Sequence, residues 1–527
     1  MGKEEQTNSK DNATARPPGR AASMFEVGPK FVAKTFVRAV HRNPYRAIAS
    51  LWRYPVRRVA SATFKDACSL VWSKMACYRP LLAREIASLT VMERIERRFL
   101  WSVLAIPDWR YRRVLKKLDA QSKTTSVSGG ASWIASRRGV VMMIGTLGPG
   151  GAERQLVVTA RGLHESRKSD VRVACAYLSS PISRFFLPEL ETAGVPASVI
   201  GAEADNIVHP AARAAIDALP LELREAALYA KTLAAEQPEV AHLWLDEVNI
   251  KGGIAAVLTG VPKIVISQRS LPPINFGLHR PYMRESYRWL ARRPGVRMIN
   301  NSAAGARAYE KWLGVPRGSI GVVYNGYAFD EAELAGYRAD RAKFRQSVGI
   351  APDTLVVGTV MRLSEEKCPM LWLEMASLIR RDLPEARFLI VGDGPLRAAM
   401  EARSAADDLV GAVLFAGHLK ASMAAIASMD LMLLTSRAEG LPNVLVEAQF
   451  LGVPAVTTPA GGAPEAVNHG ESGWVLDSWD AEASACQIVR LLRDEQWRET
   501  AGRSGPEFAL ARFGIRRSID ETLAVYG

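Results

Sequence analysis

Two glutamates lie eight positions apart in the stretch SRAEGLPNVLVEAQFLGVPAVTTPAGGAPEAV, residues 436–467. Glu439 follows a short apolar run and is predicted in a loop, whereas Glu447 follows Pro442, a residue suited to the first position of a helix. Glu447 would then lie about one and a half turns into that helix, ~7–8 Å along its axis. The two carboxylates are therefore badly placed to share one reacting atom. Carboxylates accept hydrogen bonds from vicinal hydroxyls, so the spacing favours two separate contacts to one sugar-containing ligand.

Two further loops carry groups that can bind an anion. GTLGPGGAERQLV, residues 145–157, follows an apolar run and opens a predicted helix, so its glycines let a ligand approach free backbone N–H groups. This segment is neither a GxGxxG fingerprint nor a P-loop. In TVMRLSEEKCP, residues 359–369, Arg362 and Lys367 place two cations where a diphosphate could sit. Taken alone, the glycine turn fits a purely structural turn and the two cations fit an ordinary charged surface.

The elements that must position these loops form two series of apolar runs, each run followed by an amphipathic stretch. Buried, non-alternating strands that alternate with helices are typical of parallel doubly wound sheets. We therefore predict an α/β fold with two Rossmann-like domains, split near residue 327, whose strand-end loops face each other across a cleft. The predicted strands are 140–147, 171–178, 240–245, 262–268, 296–302 and 320–326, then 355–363, 386–394, 412–418, 431–436 and 454–459.

The net charge of +14 is concentrated at the N-terminus. Residues 1–136 hold 25 Lys and Arg against 10 Asp and Glu, whereas the remaining 391 residues hold 43 against 44. Composition predicts a disordered tail at 1–22, a basic helical extension at 23–120 and a Ser/Thr/Gly linker at 121–137. Cations recur every four residues through 30–46, and tryptophans alternate with arginines, as on helices that bind a membrane surface. A solvated face of helices packed on the body explains the pattern equally well.

The cysteines and the apolar runs indicate in which compartment of the cell the protein works. The five cysteines form no CxxC pair and no metal-ligand spacing, which indicates reduced thiols in a reducing compartment. The first 22 residues lack the apolar stretch of a signal peptide. The longest early apolar run, 99–107, is far shorter than the ~20 residues of a membrane span. We expect a cytoplasmic protein that is peripheral on the inner face of the cell membrane.

Six pieces occur in a characteristic order: GGAERQ, the pair Arg362 and Lys367, GDGP at 392–395, EGLPNVLVEA, GVP and GGAPE. In this combination the chain resembles the retaining GT-B glycosyltransferases of the family-4 type, over residues 138–527. The resemblance implies an N-terminal Rossmann-like acceptor domain at 138–326 and a C-terminal nucleotide-sugar domain at 327–505. It implies that a last helix, 506–527, returns to the N-terminal domain. Because the two series of strands are self-contained, we expect 138–527 to fold without the extension.

The resemblance also implies individual roles. Arg362 and Lys367 would neutralise the departing diphosphate, Glu439 would bind the transferred sugar, and Glu447 would bind the nucleotide ribose. Retention is explained in this family by front-face attack, with the leaving phosphate taking the proton of the acceptor. No DxD-type metal loop is evident, so we expect no metal and no cofactor beside a UDP- or GDP-linked sugar substrate. The other donor-binding positions are Gly150, Gly151, Gly417, His418, Leu419, Gly440, Leu441 and Pro442.

One departure concerns the acceptor side. Many relatives carry a histidine after a central strand of the N-terminal domain, but the matching stretches here, LWLDEVNIKGG at 243–253 and VISQRSLPP at 265–273, carry none. The polar residues available there are Asp246, Asn249, Gln268 and Arg269. We assign these four residues to the acceptor side.

The function that fits all of these features is a retaining, metal-independent hexosyltransferase. It would move a sugar from a nucleotide-sugar to a lipid-linked or polysaccharide acceptor, building exopolysaccharide, lipopolysaccharide or a related surface glycan, with 23–120 on an anionic membrane. The alternatives are another GT-B enzyme, such as a sugar-nucleotide epimerase or a sugar-phosphate synthase, and a non-catalytic binding protein on the same fold. No nucleic-acid-binding module is visible, so no nucleic-acid partner is expected.

Overall fold

The computed structural model describes residues 111–116, 118, 139–167, 170–204, 207–276, 278–419 and 422–527. The predicted tail at 1–22, the predicted linker at 121–137 and all of the predicted extension before residue 111 lie outside the described residues. Both sheets of the protein belong to one unit of the chain, residues 103–527.

The first sheet has seven parallel strands in the order β3-β2-β1-β4-β5-β6-β7. Its central strands β1 and β4 are buried along their whole length, which explains why their sequences show no polar alternation. Strand β3 was not predicted, and several predicted strands continue past the observed ends, as at 145–147, where the buried Leu147 follows β1. The strands are β1 Val140–Ile144, β2 Val171–Cys175, β3 Ala197–Val199, β4 Val240–Trp244, β5 Lys263–Gln268, β6 Val296–Asn300 and β7 Gly321–Val322.

Helices cover both faces of this sheet. Helix α7 begins after Ser302, whose side chain accepts a hydrogen bond from the backbone N–H of Gly305, and ends at Gly314 in the left-handed conformation. These local signals are typical of helix ends. The helices are α1 Gly151–Arg167, α2 Leu187–Thr192, α3 Pro210–Asp217, α4 Ala226–Glu236, α5 Asp246–Leu258, α6 Met283–Leu290 and α7 Ala303–Leu313, with 3-10 turns at Ile182–Arg184, Leu221–Leu223 and Pro273–Asn275.

The second sheet has six parallel strands in the order β10-β9-β8-β11-β12-β13. Together the two sheets confirm the predicted pair of doubly wound α/β domains. The strands are β8 Val356–Val360, β9 Arg387–Val391, β10 Val413–Gly417, β11 Leu431–Leu434, β12 Ala455–Thr457 and β13 Gly473–Val475. The helices are α8 Glu331–Ala339, α9 Arg341–Ser347, α10 Pro369–Asp382, α11 Arg397–Ser404, α12 Met423–Ala427, α13 Asn443–Phe450, α14 Ala481–Arg493 and α15 Glu495–Phe513, with 3-10 turns at Glu365–Lys367 and Ala463–Ala466.

The chain crosses between the two domains twice, and the crossings bond to each other. The backbone N–H of Tyr327 donates to the carbonyl of Phe513, and the N–H of Ile515 donates to the carbonyl of Tyr327, each at 2.9 Å. Helix α15 packs on α13 of the second domain, and α16, Ile515–Tyr526, packs on α1 of the first. The last helix therefore returns to the N-terminal domain, and the structure starts it at Ile515, later than the predicted 506.

The described end of the predicted extension is part of the N-terminal domain. Residues 111–116 are helical, and Tyr111, Leu115 and Leu118 are buried in the same core cluster as strands β4 and β5. Arg112 also donates two hydrogen bonds of 3.0 Å to the carboxylate of Glu285 on α6. That 138–527 folds without the extension stays a prediction, and a fragment that begins at residue 138 would expose the part of this core that these three side chains cover. Every helix among the described residues is too short or too polar to cross a bilayer.

Candidate functional site

Glu439 lies in the loop after β11, as predicted, and is paired with Lys367. Its side chain is almost buried, with 9% of its surface exposed. Lys367 Nζ donates to Glu439 Oε1 at 2.5 Å, and Ser436 Oγ donates to the same oxygen at 2.6 Å. Lys367 ends the short 3-10 turn after β8, so two neighbouring strand-end loops bring the pair together. A cation and a hydroxyl-binding carboxylate thus lie side by side at the carboxyl edge of the second sheet.

Glu447 lies in the second turn of α13, where its side chain is 1% exposed. Its partner is Arg154, which lies near the start of α1 in the other domain. The Nη2 of Arg154 donates a hydrogen bond to Oε1 of Glu447. The two glutamates therefore contact different cations, which agrees with separate ligand contacts. The role of Arg154 was not predicted, although the residue belongs to the quoted GGAERQ motif.

Three loops adjoin at the carboxyl ends of β8, β9 and β10. The N–H of Gly392 donates to the carbonyl of Gly417 at 2.7 Å, and Gly417 has a left-handed φ of 66°. His418 next to it is exposed, and Leu419 is partly buried. Arg362 after β8 is also exposed, and it forms no ion pair with any residue that the structure describes. Exposed His418 and exposed Arg362 therefore lie at the same edge of the second sheet.

Three glycines of the motif loops lie where one domain approaches the other. A Cβ on Gly440 would lie 2.7 Å from the Arg269 carbonyl oxygen and 2.7 Å from Asn301 Oδ1, both in the N-terminal domain. A Cβ on Gly151 would lie 2.9 Å from Asn443 Nδ2 of the second domain. A Cβ on Gly462 would also be too close to the other domain, at 2.5 Å from Ser302 Cβ. The small residues after Glu439 thus let the domains meet at close range around the site.

Gly150 and the start of α13 complete the donor-side positions. A Cβ on Gly150 would lie 2.1 Å from the carboxylate of Glu153, so this glycine leaves space for a side chain of α1, the helix that follows it. Burial raises the pKa of Glu153. Leu441 is buried, and Pro442 is the N-cap residue of α13, one position before the predicted place inside the helix.

Glu465, the third glutamate of the opening stretch, joins the domains directly. Its two carboxylate oxygens accept hydrogen bonds of 2.7 Å from the backbone N–H groups of Ala303 and Ala304, at the start of α7. The Tyr324 hydroxyl donates to it at 2.9 Å. A carboxylate at a helix N-terminus is stabilised by the free N–H groups and by the helix dipole. Glu465 therefore links the second domain to α7 through two hydrogen bonds, a contact called the Glu465 clasp below.

Glu465→Gln is expected to loosen this clasp, because an amide has one acceptor oxygen where the carboxylate has two. A loss of about 1–2 kcal/mol changes the ratio of closed to open cleft about 5- to 30-fold. Small-angle scattering of the ligand-free full-length protein should show an increased radius of gyration. Glu482→Gln, an exposed glutamate on α14, is the matched control and should leave the profile unchanged. Identical profiles for both variants would show that Glu465 does not hold the domains together.

Two of the predicted acceptor-side residues have their partners inside the N-terminal domain. Asp246 Oδ1 accepts hydrogen bonds of 2.6 Å from the hydroxyls of Tyr287 and Tyr309, and burial raises its pKa. Asn249 Nδ2 donates to the Ser267 carbonyl at 3.0 Å and to the Tyr287 hydroxyl at 3.2 Å. These contacts favour a structural role for both residues.

The other two lie at the end of β5, beside the cleft. Gln268 is buried, and its Oε1 has no hydrogen-bond partner within the described part of the chain. Arg269 lies over the ring of Trp244, with Cζ 4.2 Å from the ring centre, and its Nη2 donates to Asn325 Oδ1. The structure therefore separates the predicted acceptor group into an internal pair and a pair at the cleft. No three His, Cys, Asp or Glu side chains of the described residues are grouped so that they could hold a metal ion.

Two family models match this architecture domain by domain. Residues 149–331 match the model described as Glycosyltransferase Family 4, and residues 340–508 match the model described as Glycosyl transferases group 1. The first match spans α1 to the first domain crossing. The second match contains Arg362, Lys367, Glu439, Glu447 and Glu465.

Individual proteins are similar over comparable lengths. The Vi polysaccharide biosynthesis protein VipC/TviE of Salmonella typhi is 29% identical over 408 residues, which cover 72% of this chain and 70% of that protein. The UDP-Gal:alpha-D-GlcNAc-diphosphoundecaprenol alpha-1,3-galactosyltransferase of Escherichia coli is 26% identical over 271 residues, 50% of this chain and 69% of that enzyme. Other curated relatives are matched over about half of their length.

Solved structures show the same fold. The crystal structure of Anabaena HepE in complex with UDP and glucose superposes with a TM-score of 0.59 at 23% identity, covering 74% of this chain and 99% of HepE. The likeness supports the architecture of two facing α/β domains.

Proposed function

Because the chain belongs to the family-4 type of GT-B glycosyltransferases, we propose that it moves a sugar from a UDP- or GDP-linked donor to a glycan or lipid-linked acceptor. The product would be a cell-surface polysaccharide. The names of the relatives support this direction, since one makes Vi polysaccharide and another transfers galactose from UDP-Gal to a diphosphoundecaprenol-linked sugar. The HepE structure holds UDP and glucose.

The observation that carries the proposal is the set of charges around the cleft. Two nearly buried carboxylates, Glu439 and Glu447, each pair with a cation, Lys367 and Arg154. Arg362 is exposed in the loop after β8 that leads to Lys367. A sugar nucleotide presents both complementary groups: hydroxyls for the carboxylates and a diphosphate for the cations. On donor binding, the carboxylates would exchange their cations for sugar and ribose hydroxyls. The cations would then face the phosphates.

The transfer step that we propose is the front-face step that the family resemblance implies, and the arrangement of cations supports it. The bond between the anomeric carbon and the donor phosphate oxygen breaks, and the acceptor hydroxyl oxygen forms its bond to that carbon on the same face. The proton of the acceptor hydroxyl passes to the departing phosphate oxygen. Arg362 and Lys367 stabilise the charge that develops on the diphosphate. This stabilisation requires preorganised cations and no general base. Glu439 holds the sugar in place during the exchange.

A panel of UDP- and GDP-sugars tests the function. A donor that binds the native state raises its apparent stability, by about 2.7 kcal/mol at a hundredfold excess over the dissociation constant. The true donor should therefore raise the melting temperature of the full-length protein most. Binding of a donor without transfer to any glycan or lipid-linked acceptor would favour a binding protein on the same fold.

We predict that the product retains the anomeric configuration of the donor and that activity survives chelation. Both follow from a front-face step in which cationic side chains carry the phosphate charge. Product NMR during the first turnovers reports the configuration, and an assay in EDTA tests the metal requirement. An inverted product, or activity lost in EDTA and restored by a divalent ion, would contradict the proposed step.

We further propose that the basic extension holds the enzyme on the inner face of an anionic membrane, next to a lipid-linked acceptor. Each Lys or Arg near such a surface can contribute about 1 kcal/mol. Replacement of the five cations at 30, 34, 38, 42 and 46 by Gln in the full-length protein should therefore abolish flotation with anionic liposomes at low salt. Neutral liposomes are the control. Equal flotation of both proteins would assign the extension to packing instead.

A further inference from the structure

Arg269 is a partly buried cation whose orientation is fixed by neutral groups. Its guanidinium lies over the Trp244 ring, and Nη1 donates to Ser267 Oγ at 3.2 Å. Nη2 donates to Asn325 Oδ1, whereas Nε is buried without a partner among the described residues. The side chain is thus held rigidly by an aromatic face, a hydroxyl and an amide.

The lack of a counter-charge distinguishes Arg269 from the two buried cations of the described chain that follow. Arg345, 2% exposed, pairs with Asp430 at 2.8 Å, and Lys251, 4% exposed, pairs with Glu225 and Glu247. No carboxylate within the described ranges forms an ion pair with Arg269. Burial lowers the pKa of Arg269 to about 9, because the charged form loses its hydration. An uncompensated buried charge costs stability, and such costs concentrate at functional sites.

The position of Arg269 connects it to the donor side of the cleft. Its carbonyl oxygen lies against Gly440, where an added Cβ would be only 2.7 Å away. Asn325, which accepts from Arg269, donates to Asn443 Oδ1 at 2.5 Å, at the start of the helix that carries Glu447. Asn301 Oδ1 nearby is buried without a partner within the described ranges. Arg269 therefore lies among polar groups that are not yet satisfied, on the domain that faces the donor loops.

We propose that Arg269 binds an anionic group of a substrate, through phosphate or carboxylate oxygens, when the cleft is occupied. The inference rests on the proposed function, since it needs a substrate in this cleft. Two sources share this chemistry: the diphosphate of the donor, and a phosphate or carboxylate of the acceptor. The planar guanidinium can donate to two such oxygens at once, and a protein carboxylate would block this contact.

The first test compares melting temperatures without ligand. Arg269→Gln in the full-length protein removes the charge and keeps a donor for Asn325, so its melting temperature should equal or exceed that of the wild type. Arg345→Gln is the matched control, and it should melt lower because Asp430 loses its buried partner. A decrease for Arg269→Gln as large as that for Arg345→Gln would overturn the proposal, since it would identify a structural arginine.

The second test identifies the anion by thermal stabilisation. UDP and GDP are compared with uridine and guanosine, and inorganic phosphate or glucuronate is then added on top of saturating nucleotide. If the donor is the source, Arg269→Gln weakens nucleoside diphosphate binding about tenfold or more and leaves nucleoside binding unchanged. If the acceptor is the source, nucleotide binding is unchanged and the response to phosphate or glucuronate is lost. Arg269→Lys should restore part of either effect.

The outcomes separate this inference from the proposed function. A variant that responds like the wild type to every anion would show that Arg269 binds none of them. A wild-type protein without response to any nucleoside diphosphate would count against the proposed function. In that case phosphate and glucuronate are added without nucleotide, and these arms, together with the ligand-free melting temperatures, would still decide the role of Arg269.

Discussion

Glu447→Ala and Lys367→Ala are each expected to abolish nearly all sugar transfer while the protein stays folded. Glu447 is buried at the cleft, and Lys367 lies 2.5 Å from Glu439. Loss of one charge-assisted contact in such a site should cost at least about 2–3 kcal/mol of transition-state stabilisation, which is about 30- to 150-fold in kcat/KM. The measurement is kcat/KM with the donor found in the nucleotide-sugar panel.

Each substitution also leaves a partner charge behind, so stability has to be measured beside activity. Arg154, the partner of Glu447, is 33% exposed and can turn toward water, which limits the cost of losing Glu447. Arg213→Ala and Asp217→Ala break an exposed pair on α3 and serve as controls, with unchanged activity expected. Near-normal turnover of well-folded Glu447→Ala or Lys367→Ala would remove that residue from the site.

The sequence predicted the fold well because its signal is local. Apolar runs such as 140–144 and 431–434 are buried on all sides, and this burial is visible in the residue types themselves. Strands β3 and β13 escaped prediction because each is a three-residue edge strand that is mostly not buried, whereas the equally short β12 is fully buried and was predicted. The predicted strands ran on too far where a buried residue such as Leu147 follows the strand end. The packing of Tyr111 on the N-terminal domain has no local signal at all.

The candidate site was predictable only in its separate pieces. Residue types and helix geometry suffice to place Glu439 in a loop and Glu447 in a helix. The pairs of Arg154 with Glu447 and of Glu465 with the start of α7 join residues far apart in the sequence. Such contacts depend on how two domains meet, and spacing within one segment carries no information about that. The glycines illustrate the point: Gly151 and Gly440 were assigned to the donor side, which stays a prediction, and the structure places both where the two domains touch.

Gly440→Ala is expected to reduce kcat about a hundredfold without unfolding either domain. The φ of Gly440 lies outside the left-handed region, so alanine fits the local backbone. The added Cβ would lie 2.7 Å from both the Arg269 carbonyl oxygen and Asn301 Oδ1, where an ordinary contact begins at 3.4 Å. The domains must therefore separate by several tenths of an ångström at the reacting centre. Displacements near 1 Å can cost about a hundredfold in rate.

The comparison that isolates domain contact uses a second glycine of the same domain. A Cβ on Gly336 in α8 would meet nothing within 4 Å, so Gly336→Ala should leave kcat unchanged and should stabilise the helix by up to about 1 kcal/mol. The affinity for a nucleoside diphosphate tells impaired domain closure apart from impaired donor binding. Most of the predicted donor-binding residues lie on one domain, so Gly440→Ala should leave most of these contacts in place. Calorimetry should therefore show UDP or GDP affinity within a few-fold of the wild type while kcat falls. A variant with full kcat would show that the cleft works without the close approach of Gly440 to Arg269, and that the fit seen between the two loops is not needed for transfer.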